Sequence, residues 1–164
     1  PAVLVTVADR EGKPNVFTVA WAGTVCSDPP MVSISVRPQR YSWHCIEETG
    51  EFAINLTTRK LARATDFCGV RSGRDLDKFQ AAGLTPLTAS RIKEALPLGS
   101  HTMYVAEVVS VSVDERYLDG ENRFHLDWAE PIVYSHGMYH ELGKAIGRFG
   151  YSVAKAKKKS GRKK

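Results

Sequence analysis

A chain of 164 residues, 43% of them hydrophobic, is long enough for one domain with a real core, and no run of about 18 apolar residues signals a membrane-spanning helix. The net charge of +5 is concentrated at one end. Residues 154–164, AKAKKKSGRKK, hold seven basic residues and no acid, so the body, residues 1–153, carries about −2. The tail reads as a solvated, flexible extension of a single folded domain over 1–153, and neither a nucleic-acid partner nor a membrane is expected.

Strand signals dominate the first third. AVLVTVAD is followed by a turn in REGKPN around Gly12, then by VFTVAWAGTV and MVSISV, all rich in β-branched residues. Between positions 41 and 50 the pattern turns helical, with Ser42 as a candidate cap and Gly50 where a C-terminal glycine belongs. FAINL reads as a further strand, 58–65 as a short helix ending near Cys68 and Gly69, and 76–82 as a helix closed by Gly83. A long strand is predicted over 102–113, and FHLDW and PIVY supply the last two. Strands interrupted by irregularly spaced helices suit an antiparallel barrel with peripheral helices and argue against a doubly wound sheet.

The stretch TVAWAGTVCSDPPMVSISVRPQRYS, residues 18–42, carries the first chemical signal. Strand side chains alternate, so Val32, Ile34 and Val36 share one face while Ser33, Ser35 and Arg37 share the other. Hydroxyls and a guanidinium in one row suit an anion-binding groove, although a half-exposed edge strand would show the same alternation. The helix at 41 begins beside Arg37 and Arg40, so its unpaired N–H groups and two arginines could meet a phosphate together. Ala20, Ala22 and Gly23 around Trp21 let a planar ring approach the main chain, and Asn55 can donate or accept at a ring edge; on the residues alone Trp21 reads rather as a core aromatic. Ser72, Arg74, Asp77 and Lys78 in SGRDLDKF form a second candidate cluster, whose alternative is a helix start capped by Asp75.

Other constellations carry less. His136 and His140 lie four apart, but Gly137 intervenes and a third metal ligand is not evident. His44 and Cys45 are adjacent and so point apart on a helix. No G-x-G-x-x-G follows a strand, so a separate dinucleotide-binding domain is not expected. Cys26, Cys45 and Cys68 are odd in number and lack C-x-x-C spacing, which argues against a disulfide framework or a structural zinc and fits a reducing cytoplasm. The chain opens at Pro1 rather than Met, which leaves room for an upstream piece.

Four blocks in order carry a resemblance: TVAWAGTVCSDPPMVSISVRPQR, ETGEFAINL, FCGVRSGRDLDKF, and LGSHTMYVAEVVSVSVDE with the ending YHELGKAIGRFGYS. Together they resemble the flavin reductase-like, FMN-binding split-barrel family, flavoredoxin type. The resemblance implies a mainly β, antiparallel, Greek-key-like split barrel. It implies FMN as cofactor, with Thr18, Val19, Ala20 and Trp21 along the isoalloxazine and Ser35, Arg37, Arg40 and Ser42 on the phosphate. Ser72 and Lys78 would border the flavin, with Lys78 facing the ring's carbonyl edge. It also implies a homodimer that passes electrons between a donor and an acceptor, with NADH or NADPH as a candidate donor docking directly on the flavin. A non-redox binder of another ligand such as haem is the alternative. Two departures stand out. The short stretch that relatives place before the first strand is missing, and SRIKEALP runs straight into Leu98-Gly99-Ser100-His101 where relatives have another strand. Residues 92–97 are therefore expected to mark a missing or mobile segment.

Overall fold

The computed structural model describes residues 1–85, 90–149 and 151–153; the basic tail expected beyond 153 lies outside the described residues. Four antiparallel strands open the chain, β1 (Val3–Ala8), β2 (Pro14–Val19), β3 (Ala22–Ser27) and β4 (Pro30–Val36). Helix α1 (Tyr41–Thr49), β5 (Glu51–Leu56), α2 (Ala62–Val70) and α3 (Lys78–Ala82) follow. Strands β6 (Ser90–Pro97) and β7 (Thr102–Glu107) and the hairpin β8 (Ile132–Ser135) and β9 (Met138–Glu141) complete the regular structure. Among the described residues no helix is long and apolar enough to cross a membrane.

Seven strands form one antiparallel sheet in the order β2-β1-β5-β6-β7-β4-β3. Its two edges, β2 and β3, are consecutive in the chain and separated only by Ala20 and Trp21. Three Cα steps span at most about 11 Å, so the sheet has to curl until its edges meet. This is the barrel expected from the sequence. VFTVAWAGTV is thus two strands and not one, because at Trp21 the chain leaves the β1 side and its carbonyl accepts the Ser35 N–H at 2.9 Å, joining the β4 side.

Alternation fills the barrel. Val3, Val5 and Val7 of β1, Phe17 and Val19 of β2, Ile34 and Val36 of β4, and Tyr104 of β7 point inward and are buried. Helix α1 plugs one end with Cys45 and Ile46. Two bonds stitch it to β7: the Trp43 Nε1–H donates to Thr102 Oγ1 at 3.0 Å, and the Tyr104 hydroxyl donates to Glu47 Oε1 at 2.6 Å. Burial of the ring raises the Tyr104 pKa, and the Glu47 carboxylate adds to it. Outside the barrel, Leu4 and Val16 pack with Cys68 of α2 and Phe79 of α3 in a second, smaller core.

Several sequence expectations are corrected. The segment expected to be missing or mobile is strand β6: SRIKEALP itself pairs with β7 along Ile92↔Ala106 to Pro97↔Thr102 and supplies the neighbour that β7 needs. A register shift between Ile92 and Glu94 disguises its alternation. The long strand predicted over 102–113 stops at Glu107, because its partner β4 begins at Pro30 and the last rung is Val108 N–H to Pro30 O at 2.9 Å. FHLDW is not a strand. Leu126–Ala129 is a 3₁₀ turn in which the His125 and Trp128 rings stack, 4.3 Å apart and 10° from parallel, as the three-residue repeat allows. PIVY is β8, but its partner β9 went unseen; their two-residue turn, His136 and Gly137, has φ of 48° and 82°, the mirror-image turn that a hairpin favours.

Candidate functional site

The outer face of β1 and β2 builds the site. In paired strands Thr18 lies opposite Leu4, and Leu4 opposite Asn55, so the three form one row across the sheet. Helix α2 crosses this row closely: a Cβ on Gly69 would sit 3.3 Å from the Thr18 Cβ, and the Thr18 hydroxyl donates to the Thr65 carbonyl. Beyond Gly69 a cleft of about 280 Å³ opens. Its floor is Ala2, Thr18 and Ala20; Asp66, Gly69 and Val70 of α2 form one wall, and Tyr134, Gly137 and Tyr139 of the β8–β9 hairpin form the other. The hairpin is held there by the Ile132 N–H on Thr57 O at 3.2 Å and by Arg59, whose Nε meets Glu141 Oε1 at 3.0 Å.

On the other side of Thr18 and Gly69 lies a cationic cradle. Helix α1 starts at Arg40, a residue that cannot accept a hydrogen bond through its side chain; no side chain caps the helix and no acid occupies its first turn. Ser42, the expected cap, is instead turned inward and accepts from Asn15 Nδ2 at 2.8 Å, so it leaves the first-turn amides uncapped. The loop before α3 folds against this end. A Cβ on Gly73 would lie 2.3 Å from Asn15 Oδ1 and 3.0 Å from the Tyr41 ring, and the Arg74 guanidinium lies 6.0 Å from that ring's centre. The Ser72 hydroxyl accepts from the Arg74 N–H at 3.2 Å. Asp77, not Asp75, caps α3 by accepting from the Gln80 N–H.

Lys78 is the unusual member. Only 4% exposed, its ammonium donates to Cys68 O at 3.1 Å and Arg71 O at 3.2 Å, which leaves one of three N–H groups for another acceptor. Burial pulls its pKa down to about 8; the nearby Cys68 thiol works against that, and the Arg40 guanidinium adds to it. Two cations thus feel one another's charge near an uncapped helix start. That arrangement is repulsive until an anion enters. A second cleft of about 350 Å³, on the Asp9 side of α1, has the opposite character, lined by Asp9, Glu11 and Glu48 with Arg10, Tyr41, His44 and Cys45.

Of the residues singled out in the sequence, Arg40, Ser42, Ser72 and Lys78 gather around the α1 start. Arg37 joins them through a turn in which its carbonyl accepts the Arg40 N–H at 3.0 Å. Thr18 and Ala20 line the cleft, whereas the Val19 side chain points into the barrel. Trp21 is 69% exposed and meets His101 edge to face at 6.3 Å. Ser35 lies on the outer face of β4, half-buried. Asn55 is committed to the Leu4 carbonyl at 3.1 Å. His136 sits in the hairpin turn with Nδ1 2.9 Å from Ser135 Oγ, and His140 lies on β9. Among the described residues no group of three or more His, Cys, Asp or Glu is placed to hold a metal. Sequence reasoning missed Asp66, Tyr134 and Tyr139, whose common destination depends on where the hairpin docks.

A split barrel with a cationic cradle and an adjoining cleft defines the class, and residues 1–97 match the flavin reductase-like domain. The chain belongs to that family. Its fold superimposes on flavoredoxin of Desulfovibrio vulgaris (Miyazaki F) with a TM-score of 0.86 and 27% identity, covering 94% of this chain and 92% of the other. Flavoredoxin from Methanosarcina acetivorans gives 0.83 at 23% identity over 94% and 92%. An uncharacterised protein of Archaeoglobus fulgidus is 25% identical over 148 residues, 80% of this chain and 79% of its own.

Lys78 should leave a signature in stability. Its folded pKa, about 8, lies below the ordinary 10.5, so from about pH 8 to 10.5 the unfolded chain holds a proton that the folded one has lost. Stability relative to Lys78→Met should therefore rise with pH in that window, with a slope up to about 1.4 kcal/mol per pH unit. Urea unfolding of both proteins at pH 7.5, 8.5 and 9.5 checks this; a constant difference would mean that Lys78 titrates normally.

Proposed function

We propose that this chain binds FMN, that it does so as a homodimer, and that it serves to pass electrons between a reductant and an acceptor. The observation that carries the reading is the α1 start, with uncapped amides, Arg40 at the cap position and the buried Lys78 ammonium with one donor to spare. These donors fit a single terminal phosphate, which favours FMN over a dinucleotide flavin. From the cradle, Thr18 and Gly69 lead into a cleft whose floor of small residues suits a flat ring. Family membership and the likeness to a flavoredoxin at 27% identity support the same reading.

When bound, the flavin supplies the electron-accepting chemistry. The protein's own part is to hold, orient and shield. Arg40, the Tyr41 and Ser42 amides and Lys78 anchor the phosphate; Ser42 and Asn15 lock the helix start; Gly73 lets the 71–77 loop close against it. Arg37 and Ser72 stand at the rim of that cradle. The cleft's rim is apolar and open, with Trp21 69%, Val70 71% and Met138 62% exposed, a surface that a second copy would cover.

Arg40→Ala should weaken FMN binding by about 1–3 kcal/mol, the scale of a charge-assisted hydrogen bond at a partly buried site. Titration calorimetry with FMN measures it, and unchanged affinity in both Arg40→Ala and Arg37→Ala would remove the phosphate assignment. Light scattering of the FMN-loaded protein at micromolar concentration should report twice the 18.1 kDa chain mass. A monomer with FMN bound would sink the homodimer.

The electron-carrier role is favoured over turnover of a free pyridine nucleotide. Among the described residues no Lys or Arg lines the cleft, and the body's charge of about −2 offers an anionic dinucleotide no long-range attraction. Anaerobic stopped-flow mixing of the FMN-loaded protein with sub-millimolar NADH or NADPH should therefore bleach the flavin slowly. Bleaching within milliseconds would establish a nucleotide-dependent reductase instead.

A further inference from the structure

The side chains that form the cradle, Arg40, Ser42 and Lys78, are cationic or neutral, whereas among the described residues the cleft beyond Thr18 has one charged group in its lining, the Asp66 carboxylate. Asp66 stands on the exposed face of α2, four residues before Val70 and three before Gly69, which brings it to the cleft's mouth. Across from it the β8–β9 hairpin presents Tyr139, which shares the cleft's lining with the Asp66 carboxylate, and Tyr134, whose ring centre lies 5.2 Å from that of Tyr139. Partial burial raises the Tyr139 pKa, and the Asp66 charge adds to it, so the phenol keeps its proton and is available to Asp66 as a donor. The hairpin's docking on Thr57 and Arg59 is what brings this pair together.

Resting on the reading that the cleft holds the flavin ring, we infer that Asp66 and Tyr139 are positioning residues that set the ring's redox poise: the carboxylate disfavours the reduced form, and the phenol moderates it. Two-electron reduction with uptake of one proton adds one negative charge to the ring. A fixed carboxylate in the same small cleft raises the free energy of that added charge, and no cation among the described lining residues opposes it. A hydrogen bond offered by the Tyr139 phenol would draw charge from the carboxylate, so loss of the hydroxyl would sharpen the effect. The cradle and the cleft then divide the work: the cations grip the phosphate, which does not change charge, while the ring faces an acid. The bound flavin is in this way kept a ready donor.

The two residues predict shifts of opposite sign. Dissociation constants for oxidised FMN and for dithionite-reduced FMN, measured by anaerobic equilibrium dialysis, give a ratio of oxidised to reduced values for each protein. Asp66→Asn should raise that ratio about tenfold, which for a two-electron couple is a positive shift of about 30 mV. Tyr139→Phe, which keeps the ring and the packing, should lower the ratio. Asp66→Glu keeps the charge and should stay within about twofold of the parent. An unchanged ratio in Asp66→Asn, an equal weakening of both FMN forms, or shifts of the same sign in Asp66→Asn and Tyr139→Phe would each overturn the inference while leaving FMN binding intact. A parent protein that retains no FMN in either form would overturn the functional reading and this inference with it.

Discussion

The structure turns on a two-residue constraint. Ala20 and Trp21 connect strands that stand at opposite edges of a seven-stranded sheet, and a link of that length leaves the sheet no choice but to close. Closure creates the inside that Val3, Val5, Phe17 and Ile34 fill, and it exposes on the outside the small residues at 18 and 20. Fold and cleft therefore share a cause. The same segment that seals the barrel becomes the floor on which a ligand would rest, and the Trp21 carbonyl, bonded to the Ser35 amide, pins it in place.

A second theme is charge held against its own preference. Burying Lys78 beside Arg40 costs solvation for one cation and repulsion between two, and a chain under no demand for an anion would gain by exposing either. Two main-chain carbonyls hold the ammonium, and the α1 start nearby is left without an acidic cap that would have neutralised it. On the acidic side of α1, by contrast, Asp9 and Glu48 surround Cys45 and, after burial itself, keep its thiol pKa raised. The helix thus separates an electropositive cradle from an acidic surface within a few residues, which directs an anion to one end of the molecule without any large net charge.

Local rules governed what could be read in advance. Alternation assigned β1, β4 and β5, and glycines at 50 and 83, with φ of 68° and 65°, ended α1 and α3 where a left-handed residue was called for. Arg37 and Arg40 were legible because both sit just before a helix start, and helix starts are written in a few consecutive residues, whereas Ser72 and Lys78 came with the family resemblance. The failures were of another kind. Strand β6 escaped notice because its pairing shifts register, the end of β7 because strand length depends on the partner's length, and β9 because a four-residue strand with His136 in its turn carries little pattern.

Sequence by itself determined the period-two inner face of the early strands and the placing of Arg37 and Arg40 at the α1 start, since these depend on neighbours within a few positions. Only the tertiary structure decided that Ser42 turns inward to Asn15, 27 residues away, instead of capping α1, and that Lys78 is buried on the carbonyls of α2's C-terminal end. It also decided that Asp66 meets Tyr139 across a cleft. The physical reason is that side-chain partners far apart in the chain are selected by how closed sheets and docked hairpins bring surfaces together, and no local propensity records that distance.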